Sequence, residues 1–199
     1  VQHPPVEDQF PVDVSTISFT NGGVGNDWGV CKLFTNNIGQ TAVGRYGGFY
    51  NVTTTVPVSG DTIRITGCGT DTGVDNQVLQ THTGPLQSTN FSSTTSRSLN
   101  YQVDTTGGNS GSPVIFENTG VAIGIHTHGG CSTTGTGGNS GTHLSHASFQ
   151  AAFNALANTT PTPPVASFSV SATTVLVGQS VTFTDSSTGI PASWAWDFG

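Results

Sequence analysis

Apolar and polar residues alternate with period two in short runs along most of the chain. Turns rich in glycine, asparagine and threonine separate the runs. Period two belongs to strands with one face buried, and Thr62-Ile-Arg-Ile-Thr66 shows it without interruption. Strands are predicted over residues 12–20, 52–57, 62–66, 77–83, 86–91 and 98–103, each bounded by turn residues. Pro113-Val-Ile-Phe116 and Val121-Ala-Ile-Gly-Ile125 are continuous apolar runs, as core strands are, and 141–145 is a short last strand. Residues 1–11 carry three prolines and read as extended surface chain. One helix is predicted, because Phe149, Ala152, Phe153 and Leu156 fall on one face at helical spacing, with Ser145 as its cap. Asn158-Thr-Thr-Pro-Thr-Pro-Pro164 is a stiff linker. Beyond it the alternation resumes over residues 180–184, and Trp194 and Trp196 share a face.

Composition agrees with an all-β protein. Of 199 residues only 8% are charged and 33% hydrophobic, with 27 glycines and many threonines. A net charge of −7 with four basic residues excludes nucleic acid and anionic membrane as expected partners. No apolar run approaches the roughly 18 residues of a membrane span. The chain starts without methionine or signal peptide, as a processed or truncated chain does. Cys31, Cys68 and Cys131 are odd in number. A Cys68–Cys131 bridge, a partner in other sequence, and small buried thiols all stay open. The pairs His126/His128 and His143/His146 invite a metal reading, but no cysteine or carboxylate stands at matching spacing, so no metal or other cofactor is expected.

The chemistry concentrates in Asp104-Thr-Thr-Gly-Gly-Asn-Ser-Gly-Ser-Pro-Val-Ile-Phe116. A serine set among glycines, directly before a Pro-led core strand, is what acyl transfer needs. Gly107, Gly108 and Gly111 open backbone conformations closed to other residues. The amides of Gly108 and Ser110 can then converge as an oxyanion hole while the Ser110 hydroxyl stays exposed as nucleophile. Gly137-Gly-Asn-Ser-Gly141 repeats five of these letters without the strand that follows, so Ser140 reads as loop.

This string resembles the nucleophile motif of chymotrypsin-like serine peptidases, and most closely the bacterial glutamyl endopeptidase branch, where Gly-Asn-Ser-Gly replaces Gly-Asp-Ser-Gly. It is not the Gly-x-Ser-x-Gly elbow, because Ser112 stands where the last glycine belongs. The resemblance extends over residues 27–156. Asn26-Asp-Trp-Gly-Val-Cys-Lys-Leu33 is similar to the string that enters the strand behind the catalytic aspartate, which makes Asp27 the orienting acid. Val121-Ala-Ile-Gly-Ile-His-Thr-His128 resembles the wall of the specificity pocket, where the branch carries an Ile-His-Thr string. The resemblance gives His126 to the substrate's acidic side chain, with Thr105 beside it and Thr127 along the substrate. Asp104 stands where trypsin carries the acid that selects Lys and Arg. Here it is expected to point away and bond backbone, leaving cleavage after Glu or Asp, weakening as His126 loses its proton. The family's disulfide just before the nucleophile is not expected, since Thr106 takes its first place.

Residues 165–199 change character and end in Trp194-Ala-Trp-Asp-Phe-Gly199, which resembles the signature of a PKD domain, an immunoglobulin-like sandwich on secreted hydrolases. That resemblance implies attachment to protein or polysaccharide. The expected fold is therefore a double antiparallel β-barrel over residues 1–157, its first barrel incomplete, with a C-terminal helix, then a linker over 158–164 and a partial sandwich over 165–199. The expected function is a secreted, monomeric serine endopeptidase acting on polypeptides. Its general base is missing, because only His3 precedes Asp27 and its Gln-His-Pro-Pro setting departs from the family's. The chain then reads as truncated at both ends and inactive alone; the alternative is an inactive peptidase fold that binds peptides.

Overall fold

The computed structural model describes residues 4–131, 137–157, 165–188 and 195–197; His3, the linker 158–164 and Trp194 lie outside them. The main body is a closed six-stranded antiparallel barrel. Its strands are β3 (Thr62–Gly67), β4 (Gln80–Ser93), β5 (Ser96–Tyr101), β6 (Pro113–Phe116), β7 (Val121–His128) and β8 (Asn139–His143). Around the barrel they run β3-β4-β5-β8-β7-β6, and β6 closes on β3. This is the expected second barrel. Alternation explains its interior: Ile63, Ile65, Leu86, Leu99, Tyr101, Val103, Val114 and Ile123 fill it. Arg64, between Ile63 and Ile65, points outward and pairs with Glu117 at 2.7 Å.

The continuous apolar runs have a different cause. Val114 and Ile123 face the barrel interior, whereas Ile115 and Ala122 face a second core with Trp28, Leu144 and Phe149. Strands covered on both faces lose alternation because neither face meets water. The second core lies beneath β2 (Asp27–Leu33) and the C-terminal helix α2 (Ala147–Ala157). Strand β2 pairs antiparallel with β1 (Val12–Asn21) in a two-stranded sheet, joined by a turn in which Gly22 N–H donates to Asn26 O at 2.7 Å.

Four local expectations change. Residues 52–57 are not a strand. Val52 makes one parallel bridge to Ala122, while Val56 and Val58 stay exposed, so β-branching finds no partner face there. The strands predicted over 77–83 and 86–91 are one, β4, which pairs β3 up to Pro85 and β5 from Leu86 onward. Gly84-Pro85 marks a barrel corner rather than a strand break. A short helix α1 (Ala42–Tyr46) begins where Thr41 Oγ1 accepts from Gly44 N–H and ends at Gly47 with φ +73°. The cap of α2 is not Ser145. Ser145 Oγ is taken by Arg97 and His143, and His146 Nδ1 accepts from Phe149 N–H at 3.3 Å instead.

Beyond the helix, β9 (Phe168–Val170) and β10 (Phe183–Asp185) pair antiparallel, and Val165 bridges Thr188. Phe168, Phe183 and Trp196 meet one another with ring centroids 5.6–5.9 Å apart. The cysteines are all free and exposed, so neither the Cys68–Cys131 bridge nor the buried-thiol reading holds.

Candidate active site

The site grows from the loop between β5 and β6. Its backbone is held from both sides: Asn109 N–H donates to Thr106 O at 3.2 Å and Ser112 N–H to Asn109 O at 3.0 Å. Gly111 N–H donates to His126 O, and His126 N–H returns to Ser112 O, both at 2.8 Å, so the loop is fastened to β7. Gly108 and Gly111 take φ values of +96° and +92°, which only glycine adopts readily. Ser110 between them is exposed, and its Oγ donates to Thr127 O at 3.4 Å. Among the described residues, the amides of Asn109, Gly111 and Ser112 have acceptors, and those of Gly108 and Ser110 have none. The loop thus carries two unengaged amides and one exposed hydroxyl. Such a pair of donors can stabilise a negative oxygen that forms beside them.

Asp27 opens β2 and is half-buried; its backbone N–H donates to Thr142 Oγ1 on β8 at 3.1 Å. Both its neighbours are pinned. Asn26 Oδ1 accepts from His146 Nε2 at 2.9 Å, and Trp28 is buried with its ring 5.9 Å from those of His146 and Phe149. Thr142 pairs with Ile125, two residues before Thr127, so β8 and β7 connect the anchor of Asp27 to the carbonyl that Ser110 meets.

His126 is 3% exposed and tied at both ring nitrogens. Nδ1 lies 2.6 Å from Tyr101 Oη, and Nε2 lies 3.2 Å from Thr105 Oγ1. Burial, helped by nearby His128, lowers its pKa from 6.5 to about 4. The ring is therefore neutral at neutral pH, its proton being lost at more acid pH than for an ordinary histidine. Thr105 Oγ1 also accepts from Asn139 Nδ2 at 2.7 Å. Sequence reasoning missed Tyr101 and Asn139, because nothing local marks the tyrosine as facing a histidine 25 residues away or the asparagine as bonding Thr105, 34 residues away. Gly141 shows why the tyrosine fits: a Cβ there would meet Tyr101 Oη at 3.1 Å and Ile125 O at 2.5 Å. Thr127 contributes its carbonyl, while its hydroxyl donates to Ser140 O and neighbours His128 Nδ1 at 2.7 Å.

Asp104 is exposed, and its backbone N–H donates to His82 Nδ1 at 3.0 Å. It lines a cavity of about 370 Å³ with Asp71, His82, Thr105, Thr106 and Asn109, to which neither Ser110 nor His126 contributes. Ser140 is not loop: it lies in β8, buried, with Oγ donating to Asn100 Oδ1 at 2.9 Å. His143 and His146 hydrogen-bond within the protein at both ring nitrogens. Among the described residues, no histidine ring hydrogen-bonds Ser110 Oγ.

A family comparison decides what this framework is, since the Trypsin model matches residues 4–149. The chain belongs to the trypsin family. Its six-stranded barrel and C-terminal helix accordingly have the chymotrypsin-like fold. Among solved structures, it is similar to a Glu endopeptidase in complex with MPD, with TM-score 0.50 and 24% identity over 74% of this chain and 61% of that one. It is also similar to the thermostable serine protease AL20 from an extremophilic microorganism, with TM-score 0.54 and 21% identity over 70% of this chain and 62% of that one. The trypsin-family chain thus spans less than two thirds of either structure's length. No curated protein sequence matches it.

Proposed function

We propose that this trypsin-family chain carries the acyl-transfer half of a secreted serine endopeptidase. Ser110 is the nucleophile, Asp27 the acid that orients the general base, and the amides of Gly108 and Ser110 the oxyanion hole. The observation that carries this reading is the exposed Ser110 hydroxyl on a loop whose Gly108 and Ser110 amides have no acceptor among the described residues. Attack by Oγ on a peptide carbonyl forms a tetrahedral oxyanion, which those amides receive. Collapse expels the amine and leaves an acyl-enzyme for water to release. Among the described residues no histidine ring bonds Ser110 Oγ, and without a general base the framework hydrolyses peptides poorly. Loss of the histidine from a comparable triad lowers kcat by about 10⁶-fold.

Thr105, His126 and Thr127 line the substrate groove in this reading, with cleavage after Glu or Asp. Asp104 lines a cavity that Thr105 also lines and His126 does not. With both nitrogens of the neutral His126 engaged, the substrate carboxylate is held through the Thr105 hydroxyl that His126 bonds, rather than through charge. Residues 165–199 belong to a PKD sandwich, a module that attaches to protein or polysaccharide, in which Phe168, Phe183 and Trp196 meet one another. The second reading, a peptide-binding module that does not cut, draws on the missing imidazole beside Ser110.

Labelling with a fluorophosphonate separates the two. Fast labelling that Ser110→Ala abolishes, in a form of the protein that carries the base, supports the peptidase. No labelling in any form leaves the binding module. Paired Glu, Asp, Lys and Arg substrates then test specificity, and a preference for Lys or Arg that vanishes in Asp104→Ser would overturn the acidic reading.

A further inference from the structure

The hydrogen bonds around His126 have a direction, and two residues outside the groove set it. Tyr101 is fully buried, and among the described residues its hydroxyl has one partner, His126 Nδ1 at 2.6 Å. A buried hydroxyl proton without an acceptor is costly, so Tyr101 donates and Nδ1 accepts. The neutral ring then carries its proton on Nε2, which faces Thr105 Oγ1 at 3.2 Å.

Asn139 completes the set. It is 1% exposed, and its four bonds are all filled. Nδ2 donates to Val103 O and Thr105 Oγ1, each at 2.7 Å; Oδ1 accepts from Gly130 N–H at 2.7 Å and Cys131 N–H at 3.2 Å. With both amide hydrogens and both oxygen lone pairs in use, Asn139 cannot flip without breaking bonds to two segments. Thr105 Oγ1 therefore receives two donors, Asn139 Nδ2 and His126 Nε2–H, which use both its lone pairs. Its own proton has no acceptor among the described residues, and Thr105 is only half-buried.

We propose that Tyr101 and Asn139 are positioning residues that lock this relay, Tyr101 to His126 to Thr105, so that the Thr105 hydroxyl presents a donor and no acceptor to the substrate's side chain. This rests on the reading of Thr105 and His126 as lining the substrate groove. Thr105 Oγ1, which can only donate, serves a carboxylate oxygen of Glu and itself offers no acceptor to the NH₂ of Gln. The discrimination needs no charged imidazole.

The test begins with the 199-residue chain labelled with ¹⁵N. Ring-nitrogen shifts at neutral pH should show His126 protonated on Nε2 and bare on Nδ1. A proton on Nδ1, or an imidazolium, would overturn the inference without any variant needing to fold. The chain is then titrated with acetylated tetrapeptides ending in Glu or in Gln amide. Glu should bind more tightly, and Tyr101→Phe, which frees the ring to take either tautomer, should shrink the ratio by about tenfold, the worth of one hydrogen bond. Thr105→Ser should keep the ratio and Thr105→Val should lose it. The expected tautomer with equal binding of the two peptides would refute the acidic reading, and with it the use of the relay for selection, while the proton assignment would stand.

Discussion

His126, His143 and His146 share one predicament. Each ring is almost fully enclosed, with 3%, 0% and 0% exposure, and each nitrogen already has a neighbour. A second proton would have to be taken up without water and against a donor that already points at the ring. Burial accordingly lowers all three pKa values, His126 to about 4. The unfolded chain binds protons at the ordinary value of 6.5, so between 6.5 and about 4 it holds more protons than the folded one. Stability then rises with pH across this window and is lost as pH falls through it. For His126 alone the shift corresponds to at most about 3 kcal/mol. Urea midpoints taken across the window should fall steadily toward acid, and His126→Gln should flatten the fall. A midpoint indifferent to pH would mean the rings reach water. The same residues show the limit of sequence at this scale. The string around Ser110 announces a tight glycine loop, because its signal is local. The state of His126 depends on Tyr101 and Asn139, which only strand register brings to it.

At the scale of elements, helix α2 holds the second core in place. Phe149, 4% exposed, meets Trp28 edge-on at 5.9 Å and stacks on Phe153 at 5.7 Å. Phe149→Ala should cost about 3–5 kcal/mol, since the cavity forms against a sheet that cannot collapse into it. Ser148→Ala, exposed on the same helix, should stay within about 0.5 kcal/mol. Thermal melts of the two variants check this, and equal effects would mean the helix is not docked through Phe149. The helix was legible in the spacing of its apolar residues, as were β3 and β6 in their patterns. Three details were not. The cap passed from Ser145 to His146 because Arg97 and His143 claim the serine hydroxyl. Residues 52–57 are rich in β-branched residues but, beyond the bridge at Val52, have no partner strand, and propensity without a partner does not make a strand. The corner in β4 looks in sequence like two strands, since Gly-Pro punctuates both a turn and a bend.

Across the whole molecule, the contrast is between a sheet that closes and one that does not. Each barrel strand has a hydrogen-bonded neighbour on both sides, so there is no edge to open first. Strands β1 and β2 have only each other, and β1 leaves Val14 at 77% and Phe19 at 71% exposure. A two-stranded sheet is marginal by itself, and what secures this one is the burial of Trp28 and the Asp27 bond to Thr142 at its barrel end. Amide exchange should therefore be graded. Residues of β3, β5 and β7 should exchange only on global unfolding, while β1 should exchange through local opening. Within the small sheet protection should rise from Val12 and Leu33 toward the Asn21–Asp27 end, where the anchors lie. Dilution separates the alternatives. If the exposed face of β1 associates between copies, its protection will increase with protein concentration while that of the barrel stays constant. Uniform protection from Val12 onward, independent of concentration, would refute the marginal sheet and require a cover for β1 within the same molecule.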